Sequence, residues 1–194
     1  GRGNANKWLT RILWASRQKI DLRIVSFDGG GLRNAIPREA SCIVSVCSKD
    51  VSELNAIVEK MTKTFQEEYK SIEINMAISC SEQALSERGV SANDSQKIIN
   101  TLAAVHNGVY RMSPDIEGLV ETSSSLARVE IGNGKFITQS LQRSSVNSTR
   151  DEVAMTIKAC FENMGCAVAQ SGEYPGWQPN PNSKILDIME ELYK

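Results

Sequence analysis

Apolar residues recur along this chain with two periods, and the change from one to the other lays out its elements. Between Asn4 and Gln18, Ala5, Trp8, Leu9, Ile12 and Leu13 fall at i, i+3, i+4, i+7 and i+8, the stripe of an amphipathic helix. Asp21–Phe27 reads as a strand carrying Leu22, Ile24 and Phe27. Ala40–Cys47 reads as a second, with Cys42, Val44 and Val46 on one face. Being adjacent in sequence, the two are expected to pair antiparallel. Asp50, with Glu53 three residues on, has the form of an acidic capping box. It opens a long helix striped by Leu54, Ile57, Val58, Met61 and Phe65. In Ser71–Cys80, Ile72, Ile74, Met76 and Ile78 alternate with Ser71, Glu73, Asn75 and Ala77, the pattern of a half-buried antiparallel strand.

The polar stretch Ser81–Asn93, with Gly89, reads as a connector. Asn93 then opens a helix carrying Ile98, Ile99, Leu102 and Ala103, which closes at Asn107-Gly108. Strands at about Leu119–Ile131 and Lys135–Val146 are joined by Gly132-Asn133-Gly134, and Asn-Gly between strand runs is a strong hairpin signal. Ser148 is placed to cap a helix striped by Val153, Ile157, Cys160, Phe161 and Met164, with Gly165 ending it. Cys166–Ser171 reads as a short last strand and Tyr174–Pro181 as a Pro- and Asn-rich loop holding Trp177. A final helix from about Ser183 carries Ile185, Ile188, Met189 and Leu192.

Helix, strand, strand, helix, strand thus occurs twice, although the residues themselves do not repeat. Each half has the order of a ferredoxin-like βαββαβ unit lacking its first strand. The expected fold is α+β: an antiparallel sheet with helices on one face, built of two ferredoxin-like halves. Residues 1–80 form the first half, 81–93 the connector, and 94–194 the second half with the C-terminal loop and helix. The uncovered sheet face is left free to be an interface. The missing first strand of the first half would lie just before Gly1. A chain that starts on Gly1 and passes straight into a helix is expected to begin partway through a larger protein.

Composition narrows the partners. The 194 residues are 41% hydrophobic and 23% charged, enough apolar matter for a core. A net charge of −1 and a pI of about 6.0 argue against a nucleic-acid partner, whose phosphates call for a basic surface. No apolar run approaches the length of a bilayer span, so no membrane partner is expected. Cys42, Cys47, Cys80, Cys160 and Cys166 are odd in number and lack CxxC spacing, and read as free thiols of a reducing cytoplasm.

Autonomous chemistry finds little support. His106 is the only histidine, so neither a zinc site nor a Ser-His-Asp triad can be assembled around a second one, and a surface-loop role suits it better. No GxSxG elbow occurs. Gly29, Gly30 and Gly31 follow a strand as a phosphate loop would, but Pro37 and another strand come next, not a helix N-terminus. Two polar features remain. The first is the loop from Asp28 to Ala40, with Arg33, Asn34 and Arg38, whose permissive backbone suits contact with another molecule. Asn34 could serve there as a turn residue or as a donor to a carbonyl oxygen. The second is Arg143, period two from Ile137, Gln139 and Leu141: a surface charge, or a planar fork for a carboxylate.

Four stretches carry a resemblance. They are Gly1-Arg2-Gly3-Asn4-Ala5-Asn6; Gly29 to Ala40; Gln139 to Ser145 with Arg150-Asp151; and Tyr174-Pro175-Gly176-Trp177 with Pro179-Asn180-Pro181. In this order they resemble the bacterial aminoacyl-histidine dipeptidase family, the Xaa-His dipeptidases among the carnosinase-related dinuclear zinc exopeptidases. The resemblance implies a lid or dimerisation domain, inserted in a catalytic domain that holds two zinc ions and the general base. The lid itself would carry no metal ligand or cofactor and no catalytic residue. Its partners would be the catalytic domain of the same chain, the dipeptide substrate, and a second copy through the lid. It implies that Asn34 contacts the substrate near the reacting carbonyl and that Arg143 holds its free carboxylate. Relatives often have Arg-Tyr-Pro where this chain has Arg143-Ser144-Ser145. The family's Gly-Gly-His-Ser-Gly motif would lie upstream of Gly1, and His106 does not take its place. The implied parent reaction is hydrolysis of an Xaa-His dipeptide by a metal-activated water. On fold alone, a non-catalytic ferredoxin-like module for small-molecule binding or assembly is the alternative.

Overall fold

Helix α1 (Ala5–Arg17) begins where Asn4, in extended backbone, accepts a hydrogen bond from the Lys7 amide at 3.2 Å, satisfying one of the free donors of a helix N-terminus. The structure is a computed structural model that describes residues 2–84, 88–180 and 183–193. Gly1, connector residues 85–87 and loop residues 181–182 lie outside the described residues, as does Lys194. After α1 come β1 (Leu22–Gly29), β2 (Ala40–Val46), a 3-10 turn (Ser48–Asp50) and α2 (Val51–Glu68). Then follow α3 (Ala92–Ala104), β3 (Gly108–Met112), β4 (Val120–Gly132), β5 (Lys135–Ser144), α4 (Asn147–Met164) and α5 (Lys184–Tyr193).

The fold is α+β, with five strands in one antiparallel sheet. β4 is its axis. One edge of β4 pairs with β5 along most of its length. Its other edge pairs with β3 at residues 120–124 and with β1 at Val129, Glu130 and Ile131. The hairpins β1–β2 and β4–β5 therefore meet across the pair Asp28↔Glu130. α1 packs against α3; both have 13 residues, while α2 and α4 both have 18. The first half thus runs helix–strand–strand–helix and the second helix–strand–strand–strand–helix, joined into one sheet through β1 and β4.

The register puts Leu22, Ile24 and Phe27 of β1 on the same face as Leu126, Val129 and Ile131 of β4. These meet Leu13, Ile98, Ile99, Leu102, Val153, Ile157 and Phe161 from the helices in one core. Each such side chain contributes roughly 1.5–3 kcal/mol by leaving water. The opposite face carries Asp28, Arg128, Glu130, Gln139 and Arg143.

Two hydrogen-bonding knots tie helices to sheet. At the β4 bulge between Leu126 and Arg128, the Leu126 carbonyl accepts from Asn4 and Asn6 Nδ2, both at 3.2 Å, and the Leu126 amide donates to Asn107 Oδ1 at 3.0 Å. Lys7 Nζ donates to the carbonyls of Leu102, Ala103 and Val105 at 2.7–3.0 Å, satisfying the C-terminal end of α3. Burial draws that ammonium down to about 8, an effect opposed by its electrostatic interaction with Cys160.

Several expected details differ. The strand expected at 71–80 forms no ladder: residues 69–76 are held by turn bonds to Tyr69 and Glu73 carbonyls, and Ile72 and Ile74 stay exposed. Nor does 166–171 pair, since no described strand runs beside it. Asp50 makes no side-chain cap because it sits in αR backbone within the 3-10 turn. Ser91, not Asn93, caps α3, accepting from the Asp94 amide at 3.0 Å. Ser148 lies inside α4, which starts one residue earlier. α3 ends at Ala104, so Asn107-Gly108 is not its cap; Gly108, at φ +105°, opens the unexpected edge strand β3. The β4–β5 turn is as read, with Asn133 at φ 52° and Gly134 at φ 73°.

Candidate functional site

The loop between β1 and β2 is anchored at both feet and free at its tip. At the first foot, Gly30 has φ +75°, and a Cβ there would come within 1.9 Å of the Ala127 carbonyl at the β4 bulge. Arg128 donates to the Gly30 carbonyl at 2.7 Å while pairing with Asp28 and, at 2.9 Å, with Glu130. At the second foot, the Pro37 carbonyl accepts from the Ala5 amide at 3.0 Å, so Pro37 is buried although its neighbours are not. Arg38 grips Glu73 with both guanidinium arms, and the Gly3 amide donates to the same carboxylate at 3.0 Å. The Glu73 side chain is only 7% exposed. Hydrogen bonding from Arg38, opposed by desolvation, draws its pKa to about 2.

Between the feet, residues 31–36 are exposed and closed by a single turn bond, from the Ala35 amide to the Leu32 carbonyl. Of these, Gly31, Leu32, Ala35 and Ile36 wall a concavity of about 630 Å³ with Asp28, Pro37 and Arg38, while Arg33 and Asn34 stand outside its lining. Asn34 stands on this tip with no partner among the described residues. Arg33 instead turns toward Gly172, where an added Cβ would lie 3.1 Å from Nη2.

Arg143 lies opposite Ser123 near the end of β5, exposed, and its side chain has no hydrogen bond or ion pair among the described residues. That strand end is fixed from behind by hydroxyls: Thr122, Ser144 and Thr149 lie within 2.8–3.0 Å of one another. Glu121, beside Arg111, accepts from Thr122 and Thr149. Arg38, Arg111, Arg128 and Arg150 are all engaged by carboxylates. Arg143 is left with its donors available.

Asn34 and Arg143 share no contact. Residues 172–176 span the gap instead. Their first residue meets Arg33; further on, Arg150 donates to Glu173 and to the Tyr174 carbonyl. The Gly176 amide donates to Asn147 at 2.8 Å, and Gly176 packs so closely on the Ser144 and Ser145 carbonyls that a Cβ would come within 2.6 Å of Ser145. Four residue steps cover at most roughly 14 Å, so this brace sets the focal loop and the Arg143 strand end near one another. Sequence reasoning missed Glu73, Arg150 and the two glycines. Only the run Arg150-Asp151 and the Tyr174-Pro175-Gly176-Trp177 motif hinted at them.

His106 is half-buried, with its ring edge-on to Tyr110 at 5.2 Å. Among the described residues no three His, Cys, Asp or Glu side chains converge as a metal ion would need, so the donor set does not fit one. All five cysteines are free thiols. No helix among the described residues is long and apolar enough to cross a membrane.

Residues 1–73 match the peptidase dimerisation domain family. The whole chain is 34% identical to the cytosol non-specific dipeptidase of Escherichia coli (strain K12), and spans 40% of that protein's length. It superposes on aminoacylhistidine dipeptidase from Vibrio alginolyticus with a TM-score of 0.92 at 37% identity, again over all of this chain and 39% of the other. The chain thus spans about two fifths of the length of the dipeptidases it is similar to.

Proposed function

We propose that the chain is the lid and dimerisation domain of a metal-dependent dipeptidase that hydrolyses Xaa-His dipeptides of the β-alanyl-histidine type. The observation that carries the reading is the match to aminoacylhistidine dipeptidase over every part of this chain. The 1–80 and 94–194 halves act as one lid, partnered by a catalytic domain and by a second copy of the protein. The two zinc ions of this reading belong to the catalytic domain, whose residues lie outside this sequence. The lid's share is to bind and orient. Arg143, with its donors unspent, takes the substrate's free carboxylate bidentately. Asn34, on the free tip, donates toward the carbonyl oxygen where negative charge develops. The cytosolic relative and the free thiols support a cytoplasmic protein.

The test is Arg143→Ala in the full-length enzyme. Losing a charged, two-point contact is worth about 2–4 kcal/mol, so kcat/KM for dipeptides should fall by roughly 30- to 1000-fold. Arg143→Lys should recover part of the loss. Unchanged kcat/KM removes Arg143 from the site, and turnover of β-alanyl-histidine by the isolated chain, with or without zinc, would overturn the division of labour.

A further inference from the structure

The first turn of α4 holds two things at once. Thr149 lies within hydrogen-bonding distance of Ser144, the residue after Arg143, at 3.0 Å. Asn147 and Arg150, three residues apart, share a different side of the helix. Asn147 Oδ1 accepts from the Gly176 amide at 2.8 Å, while Arg150 donates to the Glu173 carboxylate and to the Tyr174 carbonyl. One helical turn therefore secures the end of β5 on one side and the brace 172–176 on the other. The brace has little of its own to fix it. Residues 171–177 form neither helix nor strand, and of them only Gly176 is partly covered.

A single exposed ion pair would set little, but Arg150 is not one. Its side chain is only 13% exposed, although those of Asp151 and Glu173 are 63% and 76% exposed. Asp151 Oδ1 accepts from Nε at 3.0 Å and from Nη2 at 2.8 Å, so the guanidinium plane is fixed from its own helix before it reaches the brace. A planar fork can then hold a carboxylate and a main-chain carbonyl together, which a lysine cannot. Both ends of the brace depend on where it lies. Gly176 is seated on the Ser144 and Ser145 carbonyls, and Gly172 lies beside Arg33, the neighbour of Asn34. We propose that Arg150 is a positioning residue of the dipeptide site: it holds the brace against Ser144 and Ser145, and so sets the strand end from which Arg143 reaches the substrate's carboxylate. Arg150 touches no substrate itself. The inference rests on the dipeptidase reading and on the role proposed there for Arg143.

A double-mutant cycle in the full-length enzyme, read as kcat/KM for β-alanyl-histidine, tests it. Arg150→Ala should lower kcat/KM by roughly 10-fold or more, by misplacing a group that binds substrate. Arg150→Lys keeps the charge but not the fork, and should recover only part of the loss. In an Arg143→Ala background, Arg150→Ala should cost less than about threefold further, because the group it positions is gone. Glu173→Gln changes only an exposed partner and should give a smaller loss of the same kind, again absent without Arg143. It keeps the test valid if Arg150→Ala does not fold. A loss from either substitution that is equally large with and without Arg143 overturns the proposal and leaves Arg150 a tie for stability alone. Unchanged kcat/KM in Arg150→Ala, where Arg143→Ala is costly, overturns it too and leaves the dipeptidase reading standing. Arg143→Ala without effect removes that reading, and the proposal with it.

Discussion

Glu73→Gln isolates the buttress of the focal loop. Glu73 sits behind Pro37 and Arg38 with its side chain 7% exposed, accepting from both arms of Arg38 and from the Gly3 amide. A carboxyl that titrates at about 2 instead of its ordinary 4.5 is worth roughly 3 kcal/mol of folding free energy at neutral pH. The Arg38 side chain is 55% exposed, so solvent screens part of this and about 2 kcal/mol is the expected loss. In a chain of 194 residues that lowers Tm by about 4–8 °C. The pH dependence follows from the direction of the shift. Because the folded-state pKa is depressed, the stabilisation is complete above about 4.5 and is lost as pH falls toward about 2. Urea unfolding of wild type and Glu73→Gln should therefore differ by a constant amount from pH 7 to 5, and the gap should close between pH 4.5 and 2. Arg38→Ala should show the same closing gap, and the double variant should lose less than the sum of the two. A difference under about 0.5 kcal/mol at pH 7, or one unchanged at pH 2.5, refutes the assigned role of the ion pair.

Gly30→Ala should destabilise the chain by about 2–4 kcal/mol in denaturant titrations, since its Cβ would strike the Ala127 carbonyl in a backbone region that favours glycine. Lys7→Met keeps the apolar stem but strips three carbonyl bonds from the end of α3; about 1–2 kcal/mol should be lost, with faster amide exchange in the last turn of that helix. On the role proposed for Asn34, a donor to developing charge, Asn34→Ala in the full-length enzyme should lower kcat by roughly 100-fold with a smaller change in KM. An equal rise in KM with kcat unchanged would make Asn34 a ground-state contact instead.

What could be read from the residues alone was whatever depends on a local period. The stripes of α1, α2 and α4 and the Gly132-Asn133-Gly134 hairpin are near-neighbour patterns, and they stand where the alternation puts them. β3 carried no such signal. Gly108–Met112 is an edge strand with four of its five residues exposed, so nothing enforces an apolar face. The run 71–80 failed in the opposite way: Ile72, Ile74, Met76 and Ile78 alternate as a strand should, but alternation cannot supply the neighbour a ladder needs. Arg33 and Arg38 looked equivalent in the sequence. Only the 35-residue separation between Arg38 and Glu73, closed by the fold, sets one as a brace. The brace of residues 172–176 is likewise long-range, and glycines chosen for close approach to a carbonyl read locally as turns.

The anchoring of the focal loop also decides how much disorder a bound ligand has to remove. Immobilising a backbone residue costs about 1–2 kcal/mol. With Gly30, Pro37 and Arg38 already tied to β4, α1 and Glu73, that cost falls only on the exposed tip around Asn34. A thirteen-residue flap hinged at its ends alone would give back most of its binding energy as lost entropy. A short tip on fixed posts can close on a small molecule and let go again, which is what the lid proposed above would need in order to turn over something as small as a dipeptide.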